Sequence, residues 1–170
     1  MWEFNGSWRP AFAEEPGPGQ ESVWDYPRPP RLEASEEHVR VLSTGRCIAD
    51  SRRALRMLET ASPPTYYLPA EDIDWDLLQR LPHASFCEWK GAASYFALSS
   101  EPQARPAAWL YAEPARDYAA IHRHVSFYPS LVECYVDGER VRPQRGGFYG
   151  GWVTDRIVGP CKGAAGTGHW

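Results

Sequence analysis

The fold class is decided by the stretch VECYVDGERV, residues 132–141. Apolar and polar side chains alternate on both sides of Asp137-Gly138, which is the period of a strand with one buried face. An Asp-Gly pair suits a type I′ turn, because both central residues of that turn need a positive φ. The stretch therefore predicts an antiparallel hairpin.

Outward from this hairpin, the chain continues in short alternating runs. They predict strands at 39–42, 47–49, 65–68, 85–90, 94–98, 108–111 and 125–128. Short helical turns are expected after Glu71 and over 117–121, whereas 52–58 fits either a helix or a strand. Sixteen prolines and fourteen glycines also favour turns over long helices. We therefore predict a mainly β fold, a compact antiparallel sheet domain with one or two short helices.

Composition divides the chain into three parts. Residues 1–20 are polar and rich in Gly and Pro, which predicts a flexible N-terminal segment. Residues 21–142 hold the predicted strands and form the β domain. Residues 143–170 are a glycine-and-aromatic tail, which we expect to wrap over the core or to reach a neighbouring subunit in a homo-oligomer.

Several function classes are disfavoured by charge and composition. The net charge is −4 without a basic run, so we expect no nucleic-acid partner. There is neither a secretory signal nor an apolar run long enough to cross a membrane. The four cysteines contain no Cys-x-x-Cys pair, and His122-x-His124 has no third ligand, so we expect no metal and no cofactor. A cytoplasmic location follows by default.

The chain has only two lysines against sixteen arginines, and each precedes a glycine. Lys90 lies in a segment that offers a thiol, an amine, carboxylates and phenols. We take as candidate catalytic residues Lys90, Glu59, Cys87, Tyr66 and Asp72. The loop around Lys162 lacks the Gly-Lys-[Ser/Thr] order of a phosphate loop, so we assign that lysine no nucleotide-binding role.

The role of each candidate stays open at this stage. Lys90 either pairs with Glu59 across the sheet, binds an anionic group of a substrate, or forms an imine. Cys87 is either a nucleophile whose pKa a nearby ammonium lowers, or a buried apolar side chain. Strand alternation places Cys87 and Lys90 on opposite faces unless Gly91 marks a bulge.

Aromatic residues are abundant, at 14% of the chain. They either pack between sheets or line a pocket. As candidate substrate-binding residues we name Tyr67, Trp89, Tyr95, Trp109, Tyr111 and Trp24. Tyr66 and Tyr67 are neighbours on one predicted strand, so one ring faces inward and the other outward.

Spaced motifs over residues 22–142 resemble a known bacterial family. They are Val23-Trp24-Asp25-Tyr26-Pro27-Arg28, Ala54-Leu55-Arg56 through Glu59-Thr60, Pro64-x-Tyr66-Tyr67-x-Pro69-x-x-Asp72, Cys87-x-x-Lys90-Gly91-x-x-Ser94-Tyr95, Ala108-Trp109-x-Tyr111, Phe127-Tyr128-Pro129 and the Asp137-Gly138 hairpin. In this order they resemble domain of unknown function family 427.

The resemblance implies a β-tent arrangement similar to that of methionine sulfoxide reductase B and the cereblon ligand-binding domain. Many tent proteins hold zinc with two Cys-x-x-Cys pairs, which this sequence lacks. The family implies no settled activity, although a nucleotidyltransferase label sometimes accompanies it.

Three functions are compatible with these residues. The first is a cofactor-independent enzyme of the lyase, isomerase, cyclase or hydrolase type, acting on a small molecule with Lys90, Glu59 and Tyr66. The second is a binding module that uses the same pocket without a reaction. The third is a purely structural or oligomer-forming protein whose Gly-aromatic tail is exchanged between subunits. The family label adds a nucleotidyltransferase-like activity as a further alternative.

Overall fold

The computed structural model describes residues 2–103 and 105–170, and strands are its main regular secondary structure. The strands are β1 (Glu21–Ser22), β2 (Arg31–Ala34), β3 (Val39–Ser43), β4 (Arg46–Ser51), β5 (Leu55–Leu58), β6 (Thr65–Pro69), β7 (Leu78–Cys87), β8 (Gly91–Leu98), β9 (Ala108–Tyr111), β10 (His124–Phe127), β11 (Glu133–Val136), β12 (Glu139–Arg140), β13 (Arg142–Pro143), β14 (Trp152–Val153) and β15 (Ile157–Val158). Four 3₁₀ turns join them, at Val23–Asp25, Ala70–Asp72, Trp75–Leu77 and Arg116–Ile121. The prediction of a mainly β fold is confirmed.

Two antiparallel sheets form the body of the domain. The larger sheet has seven strands in the order β2-β5-β6-β10-β9-β8-β7, and the smaller has four in the order β12-β11-β3-β4. The short pairs β1–β15 and β13–β14 attach the terminal segments. Strands that are distant in sequence are neighbours in both sheets, so the fold depends on long-range pairing.

The seven-stranded sheet has two different faces. One face, here called the closed face, carries Tyr66, Leu68, Val125 and Phe127, which pack with side chains of the four-stranded sheet in one apolar core. The other, here called the open face, carries a second cluster that includes Met57, Tyr67, Ala93, Trp109 and Tyr111. Because side chains alternate along a strand, adjacent residues such as Tyr66 and Tyr67 belong to different clusters.

The terminal segments pack on this body. Phe4, 4% exposed, contacts the ring of Trp24 at a centroid distance of 5.1 Å, and Trp170 lies against the same ring at 5.3 Å. Trp152 of the tail is fully buried in the core of the closed face, where its indole donates to the Phe127 carbonyl oxygen at 3.0 Å. Both ends of the chain therefore pack against its own domain.

Most of the predicted local elements are present. The hairpin at 132–141 is present, and Asp137 and Gly138 both have the positive φ of a type I′ turn. The ambiguous segment 52–58 forms strand β5, and the turn after Pro114 is a 3₁₀ turn over Arg116–Ile121. Within the described residues, no helix is both long enough and apolar enough to be a membrane span.

The prediction of a strand over 85–90 is confirmed for residues 85–87 and wrong for residues 88–90. Strand β7 ends at Cys87, and residues 88–90 form a tight turn before β8 begins at Gly91. Cys87 and Gly91 are paired across this turn, and Gly91 has a φ of 99°. A glycine closes the turn here because a side chain would be strained at that backbone angle.

Candidate functional site

A cavity of about 600 Å³ lies over the open face. Strand residues of the large sheet form its floor, the 88–90 turn forms one wall, and the tail contributes another. Of the eleven candidates named from sequence, eight line it: Lys90, Glu59, Cys87, Tyr67, Trp89, Tyr95, Trp109 and Tyr111. Most of the predicted chemistry is therefore brought together.

Lys90 is the last residue of the turn between β7 and β8. Its carbonyl accepts a hydrogen bond from the Ala115 amide at 3.0 Å, which ties the turn to the segment before the Arg116–Ile121 turn. Its Nζ lies 5.9 Å from the centre of the Tyr111 ring, within the range of a cation–π contact. Because the strand ends at Cys87, Cys87 and Lys90 line the same cavity.

Lys90 keeps its positive charge at neutral pH. Burial acts to lower its pKa, but the electrostatic interactions of the ammonium with Tyr67, Cys87 and Glu59 act to raise it, and the pKa lies above its ordinary value. The amine is therefore an ammonium, which can stabilise an anion or donate a proton. An imine would require the neutral amine instead.

Of the three roles considered for Lys90, the ion pair with Glu59 is not formed: within the described residues, no oxygen of Glu59 lies within 4 Å of Lys90 Nζ. Glu59 pairs with Arg28, whose Nε and Nη2 both lie 3.3 Å from Oε1. Arg28 is itself held by the carbonyl oxygens of Phe4 and Thr60. Among the described residues, none donates a hydrogen bond to Oε2 of Glu59, which leaves this oxygen available to a ligand.

Aromatic rings form the floor of the cavity. The Tyr67 ring lies 6.4 Å from both Trp109 and Tyr111, and Trp109 in turn lies 4.4 Å from Tyr128. Burial raises the pKa of Tyr67 and of Tyr111, so both phenols stay protonated at neutral pH and can donate hydrogen bonds. The floor of the cavity therefore offers a ligand both an apolar surface and phenol groups that can donate hydrogen bonds.

Three candidates lie elsewhere, so we remove them from the proposed site. Tyr66 is on the closed face, where its hydroxyl donates to Glu37 Oε2 at 2.7 Å. Asp72 follows β6; partial burial acts to raise its pKa, but its ion pair with Arg53 at 2.6 Å lowers it. Trp24 is fully buried between Phe4 and Trp170. The side chains of all three have structural contacts.

The structure adds residues that sequence patterns did not indicate. Lys162, Gln144 and Tyr149 of the tail line the cavity, and so does His83 of β7, whose ring stacks on Tyr95 at 5.1 Å. His83 lies where the pairing of β7 with β8 shifts between Arg80 and Ala84, and an irregularity of this kind is invisible in the alternation. The signal for Lys162 was the scarcity of lysine itself.

The titratable side chains of the cavity are not arranged as metal ligands. Among the described residues, no group of three His, Cys, Asp or Glu side chains is placed to hold a metal ion. His122 and His124 each contact a main-chain oxygen through Nδ1, at 2.9 Å and 2.8 Å.

Comparison with known families bears on the resemblance described above. No curated protein matches the chain. Residues 31–138 match the model of the family described as "Domain of unknown function (DUF427)". This match spans more than half of the chain and confirms the resemblance, and the protein belongs to the DUF427 family.

Proposed function

We propose that the protein is a cofactor-independent enzyme whose substrate is a small molecule with an anionic group and an apolar or aromatic body. The observation that carries this proposal is the position of Lys90, a charged amine in an aromatic cavity without a carboxylate partner of its own among the described residues. An ammonium in such surroundings attracts an anion more strongly than it would in water.

The side chains of the cavity suggest a division of roles. Lys90 stabilises negative charge on a substrate oxygen, and the protonated phenols of Tyr67 and Tyr111 donate hydrogen bonds to it. Glu59 Oε2 is available as the base. Cys87 lines the same cavity and is half-buried, as a nucleophile beside an ammonium would be. This set of side chains fits reactions that build negative charge on a substrate oxygen. Lyases, isomerases, cyclases and hydrolases catalyse reactions of this kind.

A binding module without catalysis is the second candidate. The observation that favours it is the Arg28–Glu59 ion pair, because a carboxylate that already contacts a buried guanidinium has a structural role that does not require catalysis. The two candidates share the cavity and differ only in whether the bound molecule is converted.

Conversion of metabolites tests the proposal. The purified protein is incubated with the small-molecule fraction of a bacterial extract, and compounds are followed by liquid chromatography and mass spectrometry. We expect at least one anionic compound to be consumed by the wild type and not by Lys90→Gln. Arg52→Gln is the matched control, because it removes one positive charge at an exposed position outside the cavity.

The outcomes separate the two candidates. Retention of an anionic compound on the protein without conversion would favour the binding module. Neither retention nor conversion, or equal conversion by Lys90→Gln, would contradict the role of Lys90. We also propose a cytoplasmic location, which is supported by four cysteines that are all free thiols.

A further inference from the structure

We infer that the C-terminal tail adds a second anion-binding position to the cavity, centred on Lys162, so that the ligand carries two anionic groups. This inference rests on the proposed function, in which a first anionic group lies beside Lys90. It narrows the substrate class from anionic molecules to molecules with two anionic ends, such as dicarboxylates.

Lys162 is a buried cation that lines the cavity. The residue is only 6% exposed, and its Nζ lies 4.8 Å from the Trp2 ring and 5.4 Å from the Tyr149 ring. Its one side-chain hydrogen bond among the described residues is a long one, 3.4 Å to the main-chain oxygen of Trp170. An ammonium has three donors, so this contact leaves capacity for a ligand.

Nearby Arg28 has an acidic side-chain partner, and Lys162 has none among the described residues. The Trp2 ring lies between two cations, 4.2 Å from the Arg28 guanidinium and 4.8 Å from Lys162 Nζ. Arg28 is paired with Glu59, whereas no Asp or Glu side chain of the described residues lies within 4 Å of Lys162. A buried charge is costly unless polar or anionic partners compensate it, and a ligand anion in the cavity would add to the single contact with the Trp170 oxygen.

The backbone holds Lys162 in place. The amide of Lys162 donates to the Ala61 carbonyl oxygen at 2.7 Å, and the carbonyl oxygen of Lys162 accepts from Gln144 Nε2 at 2.7 Å. Gly163 follows with a φ of 128° and lies so close to the Arg145 carbonyl that a side chain would clash with it. These contacts fix the tail against the domain at this residue, which is what a preorganised binding position requires.

The two lysines occupy different parts of the cavity. Lys90 contacts Tyr111, while Lys162 contacts Trp2 and Tyr149, so they share no ring. Lys90 lies inside the part of the chain that matches the family, residues 31–138, and Lys162 lies outside it. The tail therefore adds a specificity element to a site that the family domain begins.

The scarcity of lysine makes a direct test practical. Incorporation of lysine labelled with carbon-13 at Cε gives one NMR signal for each of the two lysines. The variants Lys90→Arg and Lys162→Arg assign them, since each removes one signal and keeps the charge. The protein is then titrated with the straight-chain dicarboxylates from succinate to suberate, each beside the monocarboxylate of the same length.

We expect monocarboxylates to shift the Lys90 signal, and at least one dicarboxylate to shift both signals and to bind about tenfold tighter or more. Lys162→Gln should abolish the preference for that dicarboxylate, and Lys162→Arg should retain most of it. Thermal unfolding of both variants measures how far each substitution loosens the tail.

Three results would overturn the inference in distinguishable ways. If the Lys90 signal shifts but the Lys162 signal does not shift with any dicarboxylate, Lys162 is a structural cation and the proposed function survives. If neither signal shifts, the anionic ligand of the proposed function is itself contradicted. A lower melting temperature of Lys162→Gln with unchanged dicarboxylate preference also assigns Lys162 to structure alone.

Discussion

The closed and open faces of the seven-stranded sheet are built from the same strands but differ in what covers them. The four-stranded sheet and Trp152 cover the closed face and fill it with apolar side chains. A tight turn and the two terminal segments cover the open face and leave the cavity. Alternation along each strand thus sends one set of residues to the core and the other to a surface that can hold a ligand.

The pair Tyr66 and Tyr67 illustrates the difference within one strand. Both are buried and both keep a protonated phenol, because burial raises each pKa. Tyr66 donates to the carboxylate of Glu37, a contact inside the fold. Tyr67 lines the cavity beside the charge of Lys90. Neighbouring residues of one type therefore have a structural role and a chemical role.

The largest expected effect distinguishes the two faces by stability. Phe127→Ala removes a fully buried ring from the closed face and should lower the free energy of unfolding by about 3–5 kcal/mol. Trp89→Ala truncates a half-buried ring at the cavity and should cost only about 1 kcal/mol. Urea unfolding measures both, and equal costs would contradict the division into a filled and an open face.

The next effect distinguishes the two tyrosines. Tyr66→Phe loses a hydrogen bond to a carboxylate and should lower the free energy of unfolding by roughly 1.5–3 kcal/mol, with conversion of the substrate unchanged. Tyr67→Phe should leave stability nearly unchanged and reduce conversion by about tenfold or more. Urea unfolding and the metabolite assay are run on both variants. Loss of conversion in Tyr66→Phe alone would return Tyr66 to the site.

The smallest effect concerns the charge on the open face. The pKa of Lys90 is raised in the folded protein, so its ionisation stabilises the fold fully below its unfolded value of about 10.4, and this contribution is lost as the pH rises through the folded value. The free energy of unfolding of the wild type, relative to that of Lys90→Gln, should therefore decrease as the pH rises above about 10.4. Urea unfolding at a series of pH values measures it, with Arg52→Gln as the control. An advantage that grows with pH would contradict the raised pKa.

Local patterns predicted the strands because period-two alternation and Asp137-Gly138 are short-range signals. The same alternation failed at 85–90, where a three-residue turn closed by Gly91 looks like a continuing strand. Sequence could not choose between Tyr66 and Tyr67, since the face that each occupies depends on which sheet packs there.

Long-range placement explains the remaining errors. Asp72 belongs to the same motif as Tyr67, and Trp24 to another motif of the resemblance, but the fold pairs Asp72 with Arg53 and packs Trp24 against terminal rings. Lys162 reaches the cavity only because the tail folds back over the domain, and no local pattern encodes that path. Rarity of a residue type was the one sequence signal that pointed to both lysines.

The most direct test of the account is a crystal structure of the protein isolated from its own cells. We predict density for a small molecule in the cavity, with an anionic group in hydrogen-bond contact with Lys90 Nζ and an apolar part against Tyr67 and Tyr111. A cavity filled by the protein's own side chains, with Lys90 paired directly to Glu59, would contradict it.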